Sequence, residues 1–270
     1  MPDLIRVQHD NGVVTYQSPL LSEAGVPHGF TTRIGGISPA PFDTLNLAAM
    51  VNDPASDAST NVAENFRRVR TALGCRRHIR VQVNQVHGRE VWVPPAHPVR
   101  PVDAPRADAI ATDKPGLMLM VRVADCVPVL LASRDGRVVA AVHAGWRGVV
   151  AGVVTNAVRE VETLAGPGHA SDLVAAVGPC IGPDRFEVGP EVAEAFESVG
   201  LQDAIVEYDN AKPHIHLSQA VAHQLIQTGI DPGRIDRTDR CTYNESQEFF
   251  SHRRDRGRTG RQAALIAVRP

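Results

Sequence analysis

MLMVRVADCVPVLLASRDGRVVAAVHAGWRG, residues 118–148, is the stretch from which the fold is read. Two strand-like runs flank a short break that holds Asp125 and Cys126. After the Asp135-Gly136 turn signal, a third run, VVAAVHA, carries His143 at its end, and the glycine-punctuated turn Gly145 to Gly148 follows. A thiol and an imidazole therefore stand at the ends of buried-looking strands, where a site is held to sub-ångström geometry. His87, in QVHG, closes another strand-like run, VQVNQV. One Cys and two His at strand ends make the ligand count of an open zinc site, with a fourth position left for water or substrate. The wide spacing of His87, Cys126 and His143 suits a catalytic site gathered from several strands, not a structural finger.

Outward from this stretch, Gly12–Gln17 and Gly29–Thr32 read as early strands, and Arg33–Pro41, RIGGISPAP, as a turn region. Val62, Phe66, Val69 and Leu73 fall on one face of a helix over Asn61–Leu73. Ile79–Val86 and Glu90–Val93 suggest a hairpin around His87 and Gly88. Pro94–Pro105 reads as a proline-rich surface loop. A valine stripe predicts one helix over Arg147–Leu164, held by packing against a sheet because Val is a poor helix former. Then come a strand at Leu173–Val177, helices at Glu191–Val199 and Ser218–Thr228 with Ser218 as N-cap, and late strands at Ile235–Tyr243 and Ala263–Val268. Strands dominate, both in hairpin-like neighbours and around helices. This favours an α/β (α+β) layer fold with mixed sheets, in a chain long enough for one large domain or two small ones. The sequence contains no GxGxxG or Walker-type loop.

Composition narrows the function. The chain has 270 residues, 43% hydrophobic and 21% charged, with only 4% aromatic, so Val, Ala and Leu must build the core. A formal net charge of −2 argues against nucleic acid or an anionic membrane as partner. No apolar run approaches the ~20 residues of a membrane span. The opening MPDLIRVQHDNG has no apolar signal core, so a cytoplasmic location is expected. Cys75, Cys126, Cys180 and Cys241 lie far apart without CxxC spacing, as free thiols or ligands do.

Each candidate has a plainer reading. A lone Cys is usually a small buried hydrophobe, and His143 alone reads as a hydrogen-bonded strand-end histidine. The polar, turn-like neighbours Asp125 and Pro128 move Cys126 away from that reading. Trp146 and Arg147 beside Gly145 and Gly148 form a corner suited to an anion. Cys180, in GPCIGPDRFEVGPE, lacks the second thiol that a zinc deaminase's P-C-x-x-C needs, and reads as a pocket wall. The arginines Arg253, Arg254, Arg256, Arg258 and Arg261 read equally as a solvated loop or as a contact for an anion.

Taken together, GFTTRIGGIS, FDTLNLA, QVHG, ADAIATDKPGLMLMVRVADCVPVLL, VAAVHAGWRG, AAVGPCIGP and FFSHRRDRGRTGRQAALI resemble the YfiH/LACC1-type family, across nearly the whole chain and in order. That family carries several labels: laccase-like polyphenol oxidase, purine nucleoside phosphorylase and peptidoglycan editing factor. The resemblance implies a four-layer α-β-β-α core and a zinc held by His87, Cys126 and His143. It implies phosphorolysis of purine nucleosides (adenosine, inosine, guanosine, methylthioadenosine), with adenosine deaminase activity at the same site. Cys126, His143, His87 and Asp125 are then the catalytic candidates, and Arg33, Asn46, Gln85 and Arg147 the candidates for nucleoside and phosphate. Two other chemistries compete. A cysteine hydrolase or amidase on a peptidoglycan precursor would use Cys126 as nucleophile and His143 as base. A copper polyphenol oxidase would need about four coppers and paired HxH motifs, whereas the chain has one, His214-Ile-His216. Copper is thus disfavoured. The oligomeric state is left open, a monomer included.

Overall fold

The run Leu117–Val123 is buried along almost its whole length because both of its faces are covered. Leu117, Leu119 and Val121 point one way, and Met118 and Met120 the other, into two different hydrophobic clusters. A strand buried on both faces loses the apolar–polar alternation that would mark its exposed side. Each fully buried Leu, Val or Met side chain contributes about 1.5–3 kcal/mol, so such a strand is a strong organising element.

The computed structural model describes residues 3–49, 56–95, 104–166, 172–209 and 211–269. Of the proline-rich loop expected at 94–105, residues 96–103 lie outside the described residues. The strands are β1 (Ile5–Gln8), β2 (Val14–Gln17), β3 (His28–Thr31), β4 (Ile79–Gln82), β5 (Val91–Trp92), β6 (Ala109–Thr112), β7 (Leu117–Val123), β8 (Val127–Ala132), β9 (Val139–Ala144), β10 (Val174–Val177), β11 (Ile205–Val206), β12 (His214–Ile215), β13 (Ile235–Arg237) and β14 (Gln262–Ala267). The helices are α1 (Pro19–Glu23), α2 (Ser59–Ala72), α3 (Trp146–Ala151), α4 (Val153–Ala165), α5 (Pro190–Glu197) and α6 (Leu217–Gln227).

Twelve of these strands form two six-stranded mixed sheets, ordered β1-β2-β3-β14-β7-β4 and β13-β10-β8-β9-β6-β5, and β11 and β12 pair as a separate two-stranded sheet. The sheets face each other across Leu119, Val121 and Ile266 on one side and Leu130, Val139, Ala141 and Ala176 on the other. Helix α2 covers the outer face of the first sheet, with Val62, Phe66 and Val69 on Met118, Met120 and Leu265. Helices α4 and α6 cover the outer face of the second, with Val154, Val158 and Leu225 on Val129, Leu131 and Val142. This is the four-layer α-β-β-α arrangement expected from the resemblance.

Several local expectations need correction. The predicted hairpin around His87 does not form: β4 pairs in parallel with β7 in the first sheet, and β5 in parallel with β6 in the second. Residues 83–90 therefore carry the chain from one sheet to the other. The break at Asp125-Cys126 is likewise a crossing, since β7 and β8 belong to different sheets. The helix read over Arg147–Leu164 is two helices, because Gly152 adopts φ 84° and ends α3 as it starts α4. Only glycine enters that left-handed region without strain. Ser218 is not the cap of α6. His216 holds that position, and the Ser218 hydroxyl sits 3.3 Å from its Nδ1. The late strand stops at Arg237; beyond it, Cys241 forms an isolated parallel bridge with Cys180. The β8–β9 hairpin forms as read, through the Asp135-Gly136 turn. No helix of the described residues is long and apolar enough to cross a membrane.

Candidate metal centre and active site

The two sheet crossings bring His87 and Cys126 together with His143 at the end of β9. One donor atom from each of the three residues lies within 4.8 Å of the others. The Cys126 Sγ is 3.9 Å from His87 Nε2, and the two imidazoles meet edge to face with centroids 4.8 Å apart. Neighbouring ligands of a tetrahedral zinc, with bonds of ~2.0–2.3 Å, stand about 3.3–3.6 Å apart. The cluster is slightly open relative to that, and a small inward movement of the side chains onto an ion closes it.

A residue absent from the sequence-based candidates holds this cluster in place. Asp108 is fully buried at the start of β6. Its carboxylate accepts hydrogen bonds from the backbone N–H groups of Val86 (3.1 Å), His87 (2.9 Å) and Gly88 (2.7 Å), and from His143 Nδ1 (2.8 Å). One carboxylate thus fixes the loop that presents one ligand and the ring of another. The bond to Nδ1 places that proton and leaves Nε2 of His143 as the nitrogen that would give up its proton to a metal, the usual outer support of a metal-bound histidine. Burial alone would raise the Asp108 pKa, but the His143 and backbone donors outweigh it and hold it below the ordinary carboxylate value. The legible signal was an acidic residue inside the apolar run ADAIAT.

The electrostatics single out Cys126 among the cysteines. Burial pushes the Cys75 thiol up to about 11, and pushes Cys180 up as well. Burial acts on Cys126 in the same direction, but the charge of His143 and hydrogen bonds from both histidines overcome it and bring the thiol down to about 6. His143 is raised to about 9: desolvation opposes its charge, and Cys126 and Asp108 more than offset that. Cys126 lies deep among neighbouring atoms, yet its sulfur keeps partial exposure because it faces a cavity. A thiolate beside two imidazoles serves either as a metal ligand or as a nucleophile.

Backbone conformation marks the same place. Among the described residues, the non-glycine residues with positive φ are His87 (58°), Asp125 (96°) and Arg256 (51°), and all three line the cavity. Such conformations cost about 1–3 kcal/mol each and persist where the surroundings over-determine them. Asp125 shows how. Its carboxylate accepts from the Thr242 hydroxyl (2.7 Å) and the Arg253 N–H (2.7 Å), and its carbonyl accepts from the Ile181 N–H (2.9 Å). Asp125 borders the cavity, but its oxygens are occupied in holding the turn that presents Cys126.

The cavity has a volume of about 830 Å³. His87, Cys126 and His143 line it, together with Trp146, Arg147 and Gln85. Gln85 has both ends of its amide tied to the backbone of Arg122. Arg147 is exposed, with its guanidinium over the Trp146 ring at 4.3 Å. Arg33 does not line the cavity: its guanidinium is engaged by Asp43 and the Ser246 carbonyl and packs on the Phe250 ring. Asn46 is buried, and its side chain ties Ala48 and Asp57 to the backbone N–H of Arg261. These two residues shape the scaffold and are not among the groups facing the cavity. In their place stand Arg122 and the C-terminal arginines Arg253, Arg256, Arg258 and Arg261. Arg254 turns inward to Asp255 and to the carbonyls of Thr242 and Phe249. Arg122 was legible as a charge inside an apolar strand, LMLMVRV.

Gly145 tests the ligand geometry. A Cβ at this position would lie 2.8 Å from His87 Cδ2 and 3.1 Å from Cys126 Sγ. Its φ of −74° suits any residue, so Gly145→Ala leaves the backbone unstrained. The expected result is a folded protein whose affinity for metal falls about 10–100-fold, the size of effect seen when ligand-orienting groups are disturbed. Metal titration of the variant, alongside its far-UV circular dichroism, reads both.

Residues 27–269 match the family model described as "Multi-copper polyphenol oxidoreductase laccase". A protein of Deinococcus radiodurans named purine nucleoside phosphorylase is 38% identical over 246 residues, covering 90% of this chain and 89% of that one. The Escherichia coli K12 protein named purine nucleoside phosphorylase YfiH is 38% identical over 243 residues, covering 90% and 93%. The crystal structure of YlmD from Geobacillus stearothermophilus superposes with a TM-score of 0.86 at 32% identity, covering all of both chains.

Proposed function

The chain belongs to the family described as multi-copper polyphenol oxidoreductase laccase, and we propose that its activity is zinc-dependent phosphorolysis of purine nucleosides in the cytoplasm, carried by one domain over residues 1–270. The observation that carries this reading is a His–Cys–His group set in a cavity lined by arginines without ion-pair partners among the described residues. The relatives named purine nucleoside phosphorylase support the substrate class. The donor set supports zinc over copper: it offers three ligands and leaves one position open, whereas a multicopper centre needs many imidazoles. The HxH pair does not supply them: His214 and His216 are neither part of the His87–Cys126–His143 group nor among the described residues that line the cavity.

In phosphorolysis a phosphate oxygen forms a bond to the ribose C1′ while the bond from C1′ to the purine nitrogen breaks, and the departing base takes up a proton. Positive charge grows on the sugar and negative charge on the base. His87, Cys126 and His143 would hold a zinc ion, which would supply Lewis-acid polarisation of a phosphate or substrate oxygen. Arg147 holds the phosphate, at the mouth of the turn that follows His143. Trp146 gives a flat wall next to it. Asp108 keeps both imidazoles in register, and Asp125 keeps the Cys126 turn closed. Holding both reactants in one cavity removes much of the entropic barrier to their meeting.

The test is nucleoside turnover with and without inorganic phosphate. Adenosine, inosine, guanosine and methylthioadenosine are expected to give free base and the sugar 1-phosphate only when phosphate is present. Arg147→Ala is expected to raise the KM for phosphate about tenfold or more, the size of one charge-assisted contact of about 1.5–3 kcal/mol. Base release at equal rate without phosphate identifies a hydrolase. Conversion of adenosine to inosine without base release identifies a deaminase.

A further inference from the structure

Six arginines line the cavity: Arg122, Arg147, Arg253, Arg256, Arg258 and Arg261. The acidic residue that lines it is Asp125, whose oxygens are already bonded to Thr242 and Arg253. None of the six forms an ion pair with a described carboxylate, and the guanidiniums of Arg122, Arg147, Arg256 and Arg258 have no hydrogen-bond partner among the described residues. The concentration is local, because the whole chain carries a formal net charge of −2. Arg122 and Arg261 are both desolvated, and the charges of Arg80 and Arg261 add to burial in drawing Arg122 below its ordinary pKa. Like charges packed without counter-ions are unfavourable in a protein until an anion arrives.

The reaction proposed above brings one inorganic phosphate, with a charge of about −1.5 to −2, and a neutral nucleoside. Two or three guanidiniums suffice for that phosphate, which leaves half of the wall unused. The volume of about 830 Å³ is toward the upper end of the ~300–1,000 Å³ of small-molecule sites, so there is room for a longer ligand.

We propose that the arginine wall formed by Arg122, Arg253, Arg256, Arg258 and Arg261 is a second anion subsite, and that the cavity takes purine nucleoside 5′-diphosphates in competition with nucleoside and phosphate. This rests on the nucleoside reading of the metal end and extends it. The base and ribose occupy the metal end, and the diphosphate chain lies along the arginines, whose forked donors match phosphate oxygens in pairs. The activity would then respond to the purine nucleotide level, through ligands that fill the same cavity.

Calorimetric titration of the metal-loaded full chain with adenosine, with ADP and with inorganic pyrophosphate tests this. ADP is expected to bind about 10–100-fold tighter than adenosine at low salt, an advantage that shrinks as salt screens the exposed arginines. Both Arg256 and Arg258 are exposed, so the double variant Arg256→Gln/Arg258→Gln keeps the fold; it should lose most of the ADP advantage and leave adenosine binding within about twofold. ADP should also inhibit nucleoside turnover competitively. ADP binding no tighter than adenosine overturns the subsite and leaves the nucleoside reading standing. ADP binding no tighter than pyrophosphate, with adenosine unbound, overturns the nucleotide proposal together with the nucleoside reading beneath it.

Discussion

Cys126→Ala is expected to release the bound metal and to lower nucleoside turnover about 10²–10³-fold or more, which corresponds to several kcal/mol of lost charge stabilisation. The wild-type chain should carry about one zinc, because two imidazoles and one thiolate converge with a fourth position open. The substitution removes the strongest of these ligands and the negative charge that holds His143 protonated in the metal-free site. The fold should persist, since the Cys126 turn is anchored by its neighbours: Asp125 is tied to Thr242, Arg253 and Ile181. Metal content by mass spectrometry and turnover on the same samples decide the matter. A wild type that is fully active after the metal has been stripped would move Cys126 to the role of nucleophile, with His143 as its base, and would point to a hydrolase. Several coppers per chain, with oxygen consumed in proportion on a phenol, would restore the oxidase reading carried by the family's description.

Asp108→Ala should have the largest effect on the scaffold. The change leaves three backbone N–H groups and the His143 ring without their acceptor in a fully buried place. Breaking a buried network of this kind costs about 3–5 kcal/mol, which lowers Tm by on the order of 10 °C in a chain of this size. Asp108→Asn separates the structural role from the positioning one. It keeps one acceptor oxygen and the volume, so stability recovers in part, but it turns an NH₂ group toward donors and removes the negative charge facing His143. Metal affinity is then expected to fall about 10–100-fold in a protein that melts closer to wild type. Thermal melts of the metal-stripped proteins, paired with metal titrations, report the two roles independently. Wild-type metal affinity in Asp108→Asn would show that Asp108 supports the fold and does not tune the ligands.

By itself the sequence determined the layer class and singled out His87, Cys126 and His143, the trio that could hold a metal. Runs such as VPVLLA and VVAAVHA are too apolar and too short for anything but strands buried on both faces, and the turn signal between them is local chemistry. The 3.6-residue spacing of Val62, Phe66 and Val69 specifies an amphipathic helix whatever covers it. His87, Cys126 and His143 were legible because reactive side chains at the ends of such runs are out of keeping with a core. Tertiary structure alone decided which sheet each strand joins. A strand buried on both faces carries no mark of its partner, so nothing in the sequence told that β7 and β8, two runs flanking one short break, lie in different sheets, and the crossing at His87 read as a hairpin. It also decided which polar groups face the cavity. Arg33 and Arg261 sit in similar glycine-containing turns, yet Asp43 and Ser246 engage the first while the second lines the cavity. Asp108 was not among the sequence-based candidates, because its role exists only once its four donors, contributed by β9 and by the loop after β4, are brought around it. Burial pattern is a property of a segment and is written in its residues. The partner of a buried charge is a property of the assembled layers, and it exists only once segments distant in sequence have packed.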